Sequence, residues 1–186
     1  MEQLREQYYT YADYLTWDDD IHRELIDGRI VNMAPAPGWG HQSVNMSLAA
    51  QLFQYLEGKR CKVFTAPFDV RINPDTTDDT VVQPDITILC DMSKRDKAGC
   101  KGVPDMVVEI LSPSSGIYDR KVKYDVYEAA GVREYWIVDP EKRTVEQYIL
   151  KNGRYAVKKH GGAARVNVHV LEGCVIDLAR VFANID

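Results

Sequence analysis

The 186-residue chain is 45% hydrophobic and 27% charged, a globular composition long enough to bury one continuous core, so a single domain over 1–186 is expected. No stretch approaches the eighteen or more apolar residues of a membrane span, and the polar start Met1-Glu2-Gln3-Leu4-Arg5-Glu6 lacks a signal-peptide core; a cytoplasmic protein with no membrane partner is expected. The net charge of −5 argues against coating nucleic acid through bulk electrostatics, although a divalent cation and a local basic patch can supply the positive charge that the whole chain lacks.

In chain order, residues 9–15 can start a short helix with Thr10 as N-cap and Asp13 as capping-box partner, its aromatics packing down as a lid. Residues 22–26 and 29–33 read as strands joined by Asp27-Gly28, a leading type I′ hairpin signal. Prolines and glycines make 34–40 a loop. From His41 to Leu56 apolar residues recur at Val44, Leu48, Leu52 and Leu56, with Met46, Ala49 and Phe53 beside them, an amphipathic helix that Gly58 ends. Residues 62–65 and 68–72 are strand-like, 73–80 is a polar loop, and Gln83-Pro84-Asp85 opens an apolar strand over 86–90. Residues 91–102, with Lys94, Arg95, Lys97 and Lys101, read as an exposed basic connection.

A strand over 106–111 follows. Next comes a helix capped by Ser114 or Ser115, with Val122, Val126, Ala129 and Ala130 as its buried stripe and Gly131 as its stop. Residues 133–139 form another strand, 145–150 and 155–159 a hairpin around Asn152-Gly153, and 174–182 a short strand and a last helical turn. This order predicts a mixed sheet with two main helices, α/β or α+β. Cys61, Cys90, Cys100 and Cys174 contain no Cys-x-x-Cys pair and lie mostly in apolar runs, so buried thiols are expected rather than disulfides or a zinc site.

One residue stands out. Met106, Val107, Val108, Ile110 and Leu111 form an apolar run of the kind buried on both faces of a sheet, with Glu109 in its middle. Such a charge needs a partner. Asp85 opens the preceding apolar strand, so two neighbouring strands can bring two carboxylates together. Without a cation one of the two pKa values rises; around a divalent metal both stay ionised. Asp and Glu are hard ligands for Mg²⁺ or Mn²⁺, which polarises a phosphoryl oxygen and acidifies a bound water, while a nearby Lys steadies the attacking hydroxide. That is the equipment of metal-dependent phosphodiester hydrolysis.

Longer stretches carry a resemblance. Tyr11-x-x-Tyr14-Leu15, Glu24-Leu25-Ile26-Asp27-Gly28, Gln83-Pro84-Asp85, Pro104-Asp105, Glu109-Ile110-Leu111-Ser112-Pro113-Ser114, Asp119 with Lys123 and Tyr127, and Gly131-Val132-x-Glu134-Tyr135-Trp136-Ile137-Val138-Asp139 together resemble the bacterial restriction-endonuclease-like family, abundant in cyanobacteria, of the PD-(D/E)xK nuclease superfamily. The likeness runs from about Tyr9 to Val181. It implies an αβββαβ core flanked by N- and C-terminal hairpins, DNA as substrate, Mg²⁺ or Mn²⁺ as cofactor, Asp85 and Glu109 as metal ligands, and the main-chain carbonyl of Ile110 as a third. The superfamily's usual lysine sits two residues after the glutamate, where this chain has Leu111. Matching within the family moves it to Lys123 on the following helix; helix geometry by itself does not choose between Lys121 and Lys123. Glu24 matches an acid that many members bring to the metals, with a solvated strand residue as the alternative.

His41 stands where it could touch phosphate or assist proton transfer, against the plainer reading of a polar helix start. Arg120, Lys121 and the lysines of 94–101 are candidate contacts to a nucleic-acid backbone, against ordinary solvated charge. The leading expectation is a Mg²⁺- or Mn²⁺-dependent endodeoxyribonuclease, a homodimer by analogy with nucleases that cut two strands with two subunits. The competing readings are a catalytically inactive nucleic-acid- or protein-binding module on the same fold, and a hydrolase using Ser112 or Ser114, which lacks a Gly-x-Ser-x-Gly elbow.

Overall fold

The computed structural model describes residues 7–19, 21–32, 38–112 and 116–185. Its elements are α1 (Tyr11–Tyr14), β1 (Arg23–Ile26), β2 (Arg29–Asn32), α2 (Trp39–Leu56), β3 (Lys62–Thr65), β4 (Asp69–Arg71), β5 (Val81–Val82), β6 (Ile86–Leu89), β7 (Gly99–Lys101) and β8 (Met106–Ile110). They continue with α3 (Gly116–Tyr118), a π-helical segment (Asp119–Lys123), α4 (Tyr124–Ala130), β9 (Glu134–Asp139), β10 (Thr144–Lys151), β11 (Arg154–Gly161), β12 (Arg165–Asn167), β13 (Val175–Asp177) and α5 (Leu178–Val181). The serines proposed to cap the third helix, Ser114 and Ser115, and most of the 34–40 loop lie outside the described residues.

The mixed sheet expected from sequence is divided into two larger sheets and a two-stranded one. Six strands run in the order β11-β10-β9-β8-β6-β3 and five in the order β2-β1-β5-β4-β7, while β12 pairs with β13. In the six-stranded sheet β6 pairs antiparallel with β3 on one side and with β8 on the other. The helical stretch from Gly116 to Ala130 then carries the chain over to β9, parallel to β8, the long crossover that a parallel pair requires. Met106, Val108 and Ile110 pack on one face with Val44, Leu48, Leu52 and Leu56 of α2. Val107 packs on the other with Tyr127, Tyr135 and Ile137. Period-two alternation therefore explains why β8 is apolar throughout, and it turns Glu109 toward α4.

Both hairpins form as the dipeptides require: Asp27 and Gly28 have φ of 49° and 72°, and Asn152 and Gly153 have 51° and 76°, the two positive values of a type I′ turn. Asp13 accepts hydrogen bonds from the Thr10 amide (2.8 Å) and hydroxyl (2.9 Å), while Tyr11 packs with Leu25 and Val81. On α2, Met46 and Phe53 are 71% and 64% exposed.

Four local expectations are corrected. The 91–102 connection holds a 3₁₀ turn at Met92–Lys94 and the strand β7, which pairs in parallel with β4 and buries Cys100. Gly99 permits this, since a Cβ there would stand 1.9 Å from the Asp69 carbonyl oxygen. Cys61 and Cys90 form a disulfide, because the Lys62↔Leu89 register extended by one residue sets them opposite each other; Cys100 and Cys174 are free and buried, as expected. α2 begins at Trp39, two residues before His41. Finally, the stripe Val122, Val126, Ala129 and Ala130 is not the buried face of its helix. Val122 is 36% exposed, whereas Asp119, Lys123 and Tyr127 are 3%, 4% and 0% exposed. The helix faces Glu109 within an apolar cluster that includes Val107, Tyr135 and Ile137, so charge is added to hydrophobicity on its inner side. Among the described residues no helix is long and apolar enough to cross a membrane.

Candidate active site

Glu109 enters the space beneath α4 from the middle of β8 and is 4% exposed. Its Oε1 accepts from the Lys123 ammonium at 2.9 Å and from the Tyr127 hydroxyl at 2.8 Å. Lys123 Nζ is also 2.9 Å from Glu24 Oε1, which β1 of the other sheet delivers, and 4.0 Å from Asp119 Oδ1. Glu24 in turn accepts the Gln83 amide at 2.8 Å. The π-helical segment spans Asp119 to Lys123, a wider turn of the kind often found at functional sites.

Asp85 stands one residue before β6. The Ile86↔Val108 register continued by one residue sets it across from Glu109, and residues directly opposite share a face. Its Oδ2 accepts the Ile110 amide at 2.7 Å and lies 3.2 Å from His41 Nε2. The two acids are thus near enough for the Asp85 charge to act on Glu109, with the Asp85 side chain against His41 of α2 and the Glu109 side chain against Lys123 and Tyr127.

Electrostatics follow from the count of charges. Three carboxylates, Glu24, Glu109 and Asp119, surround one buried ammonium, and the Asp85 charge also acts on Glu109. Burial pushes the Glu109 carboxyl well above the usual range; Lys123 opposes this, but Asp119, Asp85 and Glu24 reinforce it. Burial works against charge on Lys123, yet Glu109, Glu24 and Asp119 outweigh it and raise its pKa well above the usual lysine value. Tyr118 adds a hydroxyl raised by burial and by Glu24, and that oxygen is buried with no hydrogen-bond partner among the described residues.

A second buried glutamate provides the contrast. Glu134 is 0% exposed, but it accepts from Trp136 Nε1 (2.7 Å), Gln147 Nε2 (2.8 Å) and the Val170 amide (2.9 Å). Neutral donors satisfy it, as a structural polar network requires. Glu134→Ala is expected to cost about 3 kcal/mol by stranding those donors, measurable by urea denaturation; a loss under ~1 kcal/mol would contradict that assignment.

Excess buried negative charge and an orphaned hydroxyl are what a missing cation would leave, and the donors near Glu109 are hard oxygens suited to Mg²⁺ or Mn²⁺. Asp85 and Glu109 fit as carboxylate donors, with the Ile110 main chain at Asp85 through its amide. Among the described residues no group of three or more His, Cys, Asp or Glu side chains forms a ready metal cage. An ion there would complete its shell from main chain and water, as Mg²⁺ commonly does.

Of the residues singled out in the sequence, Glu24, Asp85, Glu109, Ile110, Lys123 and His41 converge. Lys121 is exposed, and Arg120 turns away to Glu146 (3.4 Å) and Asp139 (3.7 Å). Asp105 caps the Cys90 amide (2.8 Å) and pairs with Arg133. Gln83 and Tyr118 were not foreseen as parts of the site; Gln83 stood beside Pro84-Asp85, but only the folded chain shows what its amide holds.

Three antiparallel strands, a crossover helix and a parallel fourth strand, with one acid just before the second strand and another on the third, define a restriction-endonuclease-like domain. The family model Uma2, described as "Putative restriction endonuclease", matches residues 9–179, and the chain belongs to that family. It is 25% identical over 139 residues to the uncharacterized protein slr1290 of Synechocystis sp., covering 73% of this chain and 71% of that one. The fold is similar to that of the crystal structure of a "putative nuclease belonging to DUF820" from Anabaena variabilis, with a TM-score of 0.75, 19% identity, and coverage of 94% of this chain and 97% of the other.

Proposed function

We propose that this protein is a Mg²⁺- or Mn²⁺-dependent endonuclease that hydrolyses phosphodiester bonds in DNA, acting as a homodimer with one site per strand. The observation that carries the reading is the Lys123 ammonium held 2.9 Å from both Glu24 and Glu109, with Asp85 across the strand from Glu109. Family membership supports the same class of chemistry.

In this reading Asp85, Glu109 and the Ile110 carbonyl hold the cation, which when bound polarises the phosphoryl oxygen and lowers the pKa of a water. Lys123 remains an ammonium, so it donates hydrogen bonds to the attacking hydroxide or to developing negative charge and takes no proton. Glu24 acts through Lys123 and is a positioning residue: with its second contact to the Gln83 amide it fixes where the ammonium points. Tyr127 does the same for Glu109.

The test is nicking of supercoiled plasmid in Mg²⁺, Mn²⁺ or EDTA. The wild type is expected to nick only with metal, and Asp85→Ala to lose activity by about a thousandfold, the worth of several kcal/mol of transition-state stabilisation. Nicking that persists unchanged in Asp85→Ala refutes the assignment, and DNA binding without cleavage in either metal fits the inactive binding module instead.

A further inference from the structure

His41 is not accounted for by anything above. Its ring is 11% exposed, at the first turns of α2. Nε2 lies 3.2 Å from Asp85 Oδ2. Adjacent ligands on an octahedral ion with bonds of ~2.1 Å stand about 3 Å apart, so imidazole and carboxylate already have the separation of two cis donors. Nδ1 is buried with no hydrogen-bond partner among the described residues, and the same is true of Oδ1 of Asn45. The two orphaned atoms belong to residues four apart, neighbours one turn along α2. A metal-bound histidine needs an acceptor for its other ring N–H, and side-chain oxygens commonly provide one.

We propose that His41 Nε2 is a ligand of the same cation as Asp85, with Asn45 Oδ1 accepting the Nδ1 proton, and that this nitrogen biases the site toward Mn²⁺ over Mg²⁺. The bias follows from ligand chemistry: imidazole suits transition metals, whereas Mg²⁺ favours oxygen and water. The inference rests on the metal-dependent reading above, but it concerns which atoms hold the ion rather than what the ion does.

Metal-free protein titrated with Mn²⁺ alone, read by calorimetry and pulsed EPR, tests it without reference to cleavage. Bound Mn²⁺ is expected to show ¹⁴N coupling from one imidazole, lost in His41→Gln and kept in His22→Gln. The preference for Mn²⁺ over Mg²⁺ is expected to shrink about tenfold or more in His41→Gln, and Asn45→Ala to weaken Mn²⁺ binding about tenfold while retaining the coupling. Mn²⁺ that binds the wild type without nitrogen coupling overturns the ligand assignment and leaves the metal-dependent reading standing, a result that needs no variant to fold. Coupling that survives His41→Gln does the same. A wild type that takes up no Mn²⁺ at millimolar concentration overturns both.

Discussion

Glu109→Gln is expected to lose plasmid cleavage by about a thousandfold while its metal-free form melts roughly 2–8 °C above wild type. Loss of cleavage follows from removing a charged donor at the reacting centre. The gain in stability follows from the cluster's composition. Glu109 is buried among Asp119, Asp85 and Glu24 with a single ammonium to share. The amide keeps an oxygen for Lys123 and Tyr127 but removes one surplus charge. Replacing buried charged groups by neutral ones stabilises by up to about 4 kcal/mol where no charge is left unpaired; Lys123 keeps Glu24 and Asp119, so a gain of about 1–2 kcal/mol is expected, and for a chain of this size each kcal/mol moves Tm by roughly 2–4 °C. The pH dependence has a definite sign. A carboxyl raised in the folded state keeps its proton after the unfolded chain has released its own, so wild-type stability falls as pH climbs above the usual glutamate range. The difference in Tm is therefore expected to be largest at neutral pH and to close as the pH falls into that range. A Glu109→Gln variant that melts lower than wild type at pH 7 without metal would show that the ion pair outweighs the crowding.

Lys123→Met carries the opposite expectation. It leaves Glu24, Glu109 and Asp119 facing one another without the ammonium that now sits 2.9 to 4.0 Å from each. Removing one side of a buried ion cluster costs about 3–5 kcal/mol, or roughly 6–20 °C in Tm. Cleavage is expected to fall below detection even at temperatures where the variant is folded. Millimolar Mn²⁺ is expected to restore more Tm in Lys123→Met than it adds to the wild type, because a cation can replace part of the missing charge. Calorimetry of both proteins with and without the metal decides this. Equal shifts would mean that the ion, if bound, does not reach these carboxylates.

Both hairpins were legible in the sequence because a type I′ turn needs two residues at positive φ, which Asp-Gly and Asn-Gly supply. Glu109 was legible for the opposite reason: its neighbours leave no solvent for it. Lys123 over Lys121 came only from resemblance, and the structure adds the geometry, with Lys121 exposed and Lys123 buried against Glu109. The inner face of that helix was misread, since a helical wheel ranks Val122 above Lys123 and has no knowledge that a glutamate waits opposite. Strand β7 and the Cys61–Cys90 bond depend on pairings between distant segments, the cysteines being 29 residues apart. Local pattern carries no trace of such register. The orphaned atoms on His41, Asn45 and Tyr118 are likewise properties of the folded surroundings.

Glu24 belongs to the smaller sheet and Glu109 to the larger, so Lys123 works as a rivet through two layers. Strand β1 joins β5 through the register pair Leu25↔Val81, and that corner is also held by the Asp27 amide on Thr80, the Gly28 amide on Asp79, the apolar packing of Leu25 and Ile26, and the ion cluster. Any opening of the N-terminal hairpin would take Glu24 away from Lys123, so the persistence of that seam sets how long the chemistry stays assembled.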